Sequence, residues 1–169
     1  MKKHIRIVSL IIILIAIDQI TKILAFSNLR GGIGISLIPG VFELQYLENR
    51  GAAFGILQDH QILFLVITII AAIILTYIYG KLPEDKKYTP LRISYVLLMA
   101  GAFGNMIDRM IRGYVVDFFY FKWIDFPIFN VADIYVTVTM ILLVILILFY
   151  YKEEDLEFLS RKGKHGRDN

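Results

Sequence analysis

The sequence predicts a membrane protein, mainly α, with four transmembrane helices and a small extracytoplasmic β-sheet. Three observations carry this. Hydrophobic residues make up 57% of the chain, against roughly 45–50% in soluble domains. They gather in four long runs, each near the ~20 residues needed to cross ~30 Å of hydrocarbon. Between the first two runs, Val41–Glu48 alternates Phe42, Leu44 and Tyr46 with Glu43 and Gln45, the period of a half-exposed strand.

The first span is expected over about residues 5–25, after Lys2 and Lys3. It begins like a signal peptide, but no small-residue cleavage site follows and Asp18 and Lys22 interrupt its far end, so it reads as a retained helix. An outer β segment follows at about 35–50, preceded by Gly31, Gly32 and Gly34, a plausible hinge. The second span, 61–80, carries no charge. The third covers about 92–109 and the fourth about 128–151. Between them, residues 113–127 are crowded with Tyr114, Phe118, Phe119, Tyr120, Phe121, Trp123 and Phe126, rings that favour the headgroup layer. Residues 1–152 are expected to form one domain, and 153–169 a charged tail with a short fraying helix. No internal repeat is visible.

Four spans put both termini on one side. Twelve of the eighteen Lys and Arg residues fall there, in the N-terminus, the 81–92 connection and the tail. The positive-inside rule makes that side cytoplasmic. The same distribution accounts for the +3 net charge without invoking nucleic acid. The chain has no cysteine, which removes disulfides, thiol catalysis and Cys-ligated metals. His4, His60 and His165 are scattered and no HExxH occurs, so no metal site is expected. No cofactor is expected either.

Polar groups inside apolar spans carry the functional signal, because an Asp at mid-bilayer costs ~2.5–3.5 kcal/mol on insertion scales. Asp18 and Lys22 are spaced i, i+4 on one helix face, as in a structural ion pair tying the first helix to the outer sheet. Gly101, Asn105, Asp108 and Arg112 share a helical spacing in the third span, with Arg109 beside them. Gly104, next to that face, permits close approach of another backbone. Asp108 and Arg109 fit a helix ending at the interface, whereas Asn105 lies a turn deeper. In the fourth span Asn130 and Asp133 share a face, and no charge follows up to Tyr151. An Asp one turn inside a helix can serve as a dipole partner; Asp125 is already placed outside for that purpose. A protease would need a second acid, and spacing leaves both Asp117 and Asp125. Asp117 has an apolar setting that raises a carboxyl's pKa; Asp125 precedes Phe126-Pro127 like a turn or cap residue.

At these positions the chain resembles bacterial lipoprotein signal peptidase (signal peptidase II) over nearly its whole length. The resemblance rests on Asp18-Gln-Ile-Thr-Lys22, Asn49-Arg-Gly-Ala-Ala-Phe-Gly55, Gly104-Asn-Met-Ile-Asp-Arg109, Val115-Val-Asp-Phe118 and Phe129-Asn-Val-Ala-Asp133, in that order. It implies four transmembrane helices, a β-cradle, and an aspartyl endopeptidase with catalytic Asp117 and Asp133, which settles the choice against Asp125. It implies a substrate pocket of Asn49, Gly51, Asn105, Arg109 and Asn130, supported by Asp18 and Lys22. Gly101, Gly104 and Asp108 join that structural support on the helical spacing above. The implied substrates are prolipoproteins cleaved just before a diacylglyceryl-modified cysteine, with globomycin-type cyclic peptides as inhibitors. The expected setting is a monomer among membrane lipid in the bacterial cytoplasmic membrane, with the site near the outer interface.

Other classes fit less well. A transporter or proton relay also uses intramembrane Asp and Lys, but these charges cluster at one interface and no inverted repeat is seen. A purely structural subunit leaves the Asn–Asp constellation unexplained. A serine protease would rest on Gly34-Ile35-Ser36 with no His in a later span, and Gly-x-Gly-Asp, as in presenilin-like enzymes, is absent.

Overall fold

A computed structural model describes residues 2–51 and 60–159. The elements run α1 (Lys2–Leu29), β1 (Ile35–Ile38), β2 (Phe42–Asn49), α2 (Gln61–Lys81), α3 (Thr89–Arg112), β3 (Val115–Phe121) and α4 (Val131–Ile145). A five-residue π turn, Leu146–Tyr150, continues α4, and a 3-10 segment, Glu153–Leu159, closes the described chain. All four α-helices are long and apolar enough to cross a membrane, counting the π turn with α4. The second is apolar all round, and Ala72 is its single buried residue among those described, as expected of a helix whose solvent is lipid. The bundle is held chiefly by α3, which packs on α1, α2 and α4.

Local chemistry sets the helix ends. Pro90 enters α3 in its first turn, where its missing N–H is not needed. Gly113, at φ 74°, turns the chain out of α3 and donates its N–H to the Arg109 carbonyl, a left-handed cap that favours glycine. Asn130 caps α4 and Asp133 reaches back to it, a capping box. The helices therefore differ from the expected spans: α1 runs on to Leu29, α3 starts earlier and ends at Arg112, and α4 starts at Val131 rather than near 128.

The sheet has the order β1-β2-β3, antiparallel throughout. Its third strand lies in the aromatic stretch expected only to meet headgroups. Val116 and Phe118 on one face of β3 bury against Ala25 and Leu29 at the end of α1. Asp117, between them in sequence, points to the opposite face by strand alternation. The Phe129 carbonyl takes the N–H groups of Phe118 and Phe119, and the Phe129 N–H returns to the Phe119 carbonyl. This bridge holds the start of α4 against β3. Gly34, at φ 82°, sits where a Cβ would come within 2.8 Å of the Leu44 carbonyl, so that glycine is fixed in a tight approach.

Away from the sheet, Lys3 bonds Glu84, and Lys87 and the Tyr88 hydroxyl bond Asp155. The N-terminus, the α2–α3 connection and the segment after α4 thus meet at one end of the bundle.

Candidate functional site

The site forms where β2, β3 and the start of α4 converge above α3. Leu47 pairs with Asp117 and Asn49 with Val115 across β2 and β3. Asn49 and Asp117 are therefore diagonal neighbours on one face, and the Asn49 amide donates to Asp117 Oδ2 at 2.8 Å. The Asn130 amide donates to Asp117 Oδ1 at 2.6 Å. Asp133 takes one hydrogen bond on each oxygen: Oδ1 from the Asn105 amide at 2.8 Å, Oδ2 from the Asn130 backbone N–H at 3.1 Å. Asn130 thus contacts both acids, with its amide on one and its backbone on the other. It also donates to Asn105 Oδ1 at 3.2 Å, closing the ring of amides.

Asp117 is 1% exposed and Asn130 fully buried, while Asp133, Asn105 and Asn49 are half-buried. Burial, then the nearby charge of Asp133, pushes the Asp117 carboxyl up to about 7, against the pull of its two amide donors and of Lys22. This is the behaviour of two acids close enough to resist simultaneous ionisation.

Beneath the acids lies an ionic cluster. Lys22, fully buried, lies 2.9 Å from Asp18 and 3.3 Å from Asp108, and donates to Asn105 Oδ1 at 2.8 Å. Asp18 accepts the Ala132 N–H, while Asp108 accepts the Val116 N–H and pairs with Arg112. The expected Asp18–Lys22 pair is present, but it ties α1 to α3 and α4 more than to the sheet. Asp108 does not end its helix at the interface: it is buried and anchors β3. Gly104 admits a side chain rather than a backbone, since a Cβ there would meet Asp18 Oδ2 at 2.6 Å; the backbone approach is at Gly101, where a Cβ would meet the Ala132 carbonyl oxygen at 2.7 Å.

Arg109 reaches the Gly51 carbonyl at 3.4 Å, and its guanidinium lies over the Phe64 ring at 4.6 Å. Its Nε is buried with no hydrogen-bond partner among the described residues. The Gly51 N–H donates to Asn49 Oδ1, which orients the Asn49 amide toward Asp117; residues 52–55 of that piece lie outside the described residues. Asp125 is elsewhere, in a left-handed turn at φ 49° and hydrogen-bonded to the Tyr120 hydroxyl at 2.6 Å, in keeping with its turn-like setting. Two contributors were missed. Gln19 donates to the Gly104 carbonyl and to Asp18, and its place beside Asp18 in an apolar span was a usable signal. Phe64 is one aromatic in an apolar run and offered none. Among the described residues no cluster of His, Asp and Glu has metal-ligand geometry.

Fold and site together define a multi-pass membrane protein with a buried acid–amide centre at the sheet end of its bundle. A family model described as signal peptidase (SPase) II matches residues 10–149, and the chain belongs to that family: it is a membrane-embedded peptidase. It is 44% identical to a lipoprotein signal peptidase of Streptococcus pneumoniae, over 91% of this chain and 97% of that protein. One from Streptococcus pyogenes is 43% identical over 92% and 98%. Two solved bacterial membrane enzymes share the fold. One, determined in meso at 2.3 Å, has a TM-score of 0.75 and 32% identity, covering 96% of this chain and 94% of that one. The other, at 1.9 Å, has a TM-score of 0.74 and 35% identity, covering 86% and 94%.

Proposed function

We propose that the chain is an aspartyl endopeptidase that removes signal peptides from diacylglyceryl-modified prolipoproteins, cutting just before the lipidated cysteine with Asp117 and Asp133. The observation that carries this is the contact of both carboxyl groups with Asn130, although they come from different elements. The names of the relatives supply the substrate class.

Hydrolysis of a peptide without a nucleophilic side chain or metal needs an activated water. Two carboxylates ~4 Å apart at an effective dielectric near 20 repel by ~4 kcal/mol, so the pair keeps one proton near neutrality. The ionised acid draws a proton from water as it attacks the scissile carbonyl. The protonated partner donates to that oxygen; on collapse the first acid passes the proton taken from water to the leaving amine, and the partner recovers its own from the intermediate's hydroxyl. The proton belongs to the pair rather than to one named acid. Asn105, Asn130 and Arg109, whose Nε has no partner among the described residues, hold the substrate backbone or the developing oxyanion, with Asn49 and Gly51 on the sheet side. The acyl chains stay in lipid while the signal helix enters sideways, as a monomeric enzyme permits, and globomycin-type peptides compete for the same pocket. The basic end of the bundle faces the cytoplasm, which puts the acids near the outer interface of the bacterial cytoplasmic membrane.

Asp117→Asn and Asp133→Asn are each expected to lower cleavage of a lipidated precursor by roughly a thousandfold or more, while the purified proteins unfold near the parent temperature. Asp125→Asn keeps substantial activity. Turnover retained in either dyad variant sinks the proposal. The unlipidated twin of the substrate is left uncut, and globomycin blocks cleavage of the lipidated form.

A further inference from the structure

Opposite the acids, at the basic end of the bundle, a groove of about 610 Å³ opens between α1 and α3. Its walls are apolar, with Ile7, Leu10 and Leu14 facing Val96 and Leu97. Its rim is cationic, with Lys3, Arg6 and Arg92, and no acidic side chain lines it. We propose that this groove seats one anionic phospholipid of the cytoplasmic leaflet, with an acyl chain between α1 and α3 and the phosphate on Arg6 and Arg92.

Two features select this occupant. Arg92 spends its terminal nitrogens on the Pro83 and Asp85 carbonyls, and its buried Nε has no partner among the described residues. Arg6 has no side-chain partner among the described residues, while Lys3 is shared with Glu84, outside the groove. The unpaired Arg6 and the charge of Arg92 above an apolar slot match a headgroup above its chain, and basic pockets between helices on the cytoplasmic side are where anionic headgroups bind. A signal peptide is a poor occupant, because its own basic n-region would meet these cations. The leaflet rests on the orientation proposed above; the binding does not.

The test is native mass spectrometry of the full chain in detergent, titrated with phosphatidylglycerol or with phosphatidylcholine of the same acyl chains. The chain is expected to retain one phosphatidylglycerol, roughly tenfold or more tighter than phosphatidylcholine. Arg6→Gln weakens that binding about fivefold, the share of one cation. Leu10→Trp, which fills the slot, removes it, and both variants still cleave substrate. Equal retention of the two lipids overturns the proposal. So does an unchanged preference in both variants, or a chain that holds no lipid and runs as a dimer through this groove. Binding is read without turnover, so its failure leaves the peptidase reading standing.

Discussion

Asp117 carries the residue-scale chemistry. Its folded carboxyl titrates at about 7, above the ~4 of a free aspartate. The fold therefore favours the protonated form: its contribution to stability is complete below ~4 and is lost as the pH rises through about 7. Activity that needs one proton on the pair declines over the same alkaline range. Asn49 donates to this carboxylate and holds the titration down. Asn49→Ala should thus let the proton persist, moving the alkaline limb of the kcat profile up by about one pH unit as well as lowering the rate. A limb that stays in place, or moves toward acid, disproves the link between that limb and Asp117. At this scale the sequence was informative wherever a polar side chain interrupts lipid-facing chain, as with Asp18, Asn105 and Asp133. Asp117 and Asp125 both lie outside the spans, where polarity is cheap. Spacing left them open, and the apolar neighbours of one against the turn setting of the other foreshadowed their places.

Among the elements, the buried ionic cluster does the joining. Lys22 on α1 meets Asp108 on α3, while Asp18 on α1 takes an N–H from α4. Removing one member of a buried charge set leaves the others uncompensated, at about 3–5 kcal/mol. Lys22→Met should therefore lower the unfolding temperature in detergent sharply, and the Asp18→Asn/Lys22→Met pair should recover part of the loss. A single variant that melts with the parent removes this cluster as the joint between helices. Activity falls in the same variant, because Lys22 also bonds the Asn105 oxygen and so turns the amide toward Asp133. The spans were legible from their length, but β3 was not. Val115–Phe121 has no alternation of polar and apolar residues, because α1 covers one face and the acid pocket occupies the other. A strand buried on both faces reads as an apolar run. The start of α4 was misplaced for a related reason: Ile128 and Phe129 are as apolar as the helix, yet Phe129 is held in the bridge to β3. The Asn130–Asp133 spacing is a capping signal, and it marks the true boundary.

For the whole molecule, the arrangement of charge gives the most direct test, because the chain has no cysteine and single cysteines can be introduced on a silent background. Ile33, fully exposed beside the sheet, lies at the acid end of the bundle. Lys86, also exposed, lies in the connection where the N-terminus and the segment after α4 gather. The basic residues concentrate at that second end, so it is expected to face the cytoplasm. A membrane-impermeant maleimide added to intact spheroplasts should label Ile33→Cys and leave Lys86→Cys unlabelled until the cells are lysed. The reverse pattern would put the acids at the inner leaflet. It would leave the peptidase with no access to a precursor whose lipidated cysteine has already crossed, and so would overturn the topology on which the proposed cleavage depends. Labelling of both sites in intact cells would mean mixed insertion, in conflict with a bias of twelve cations in eighteen.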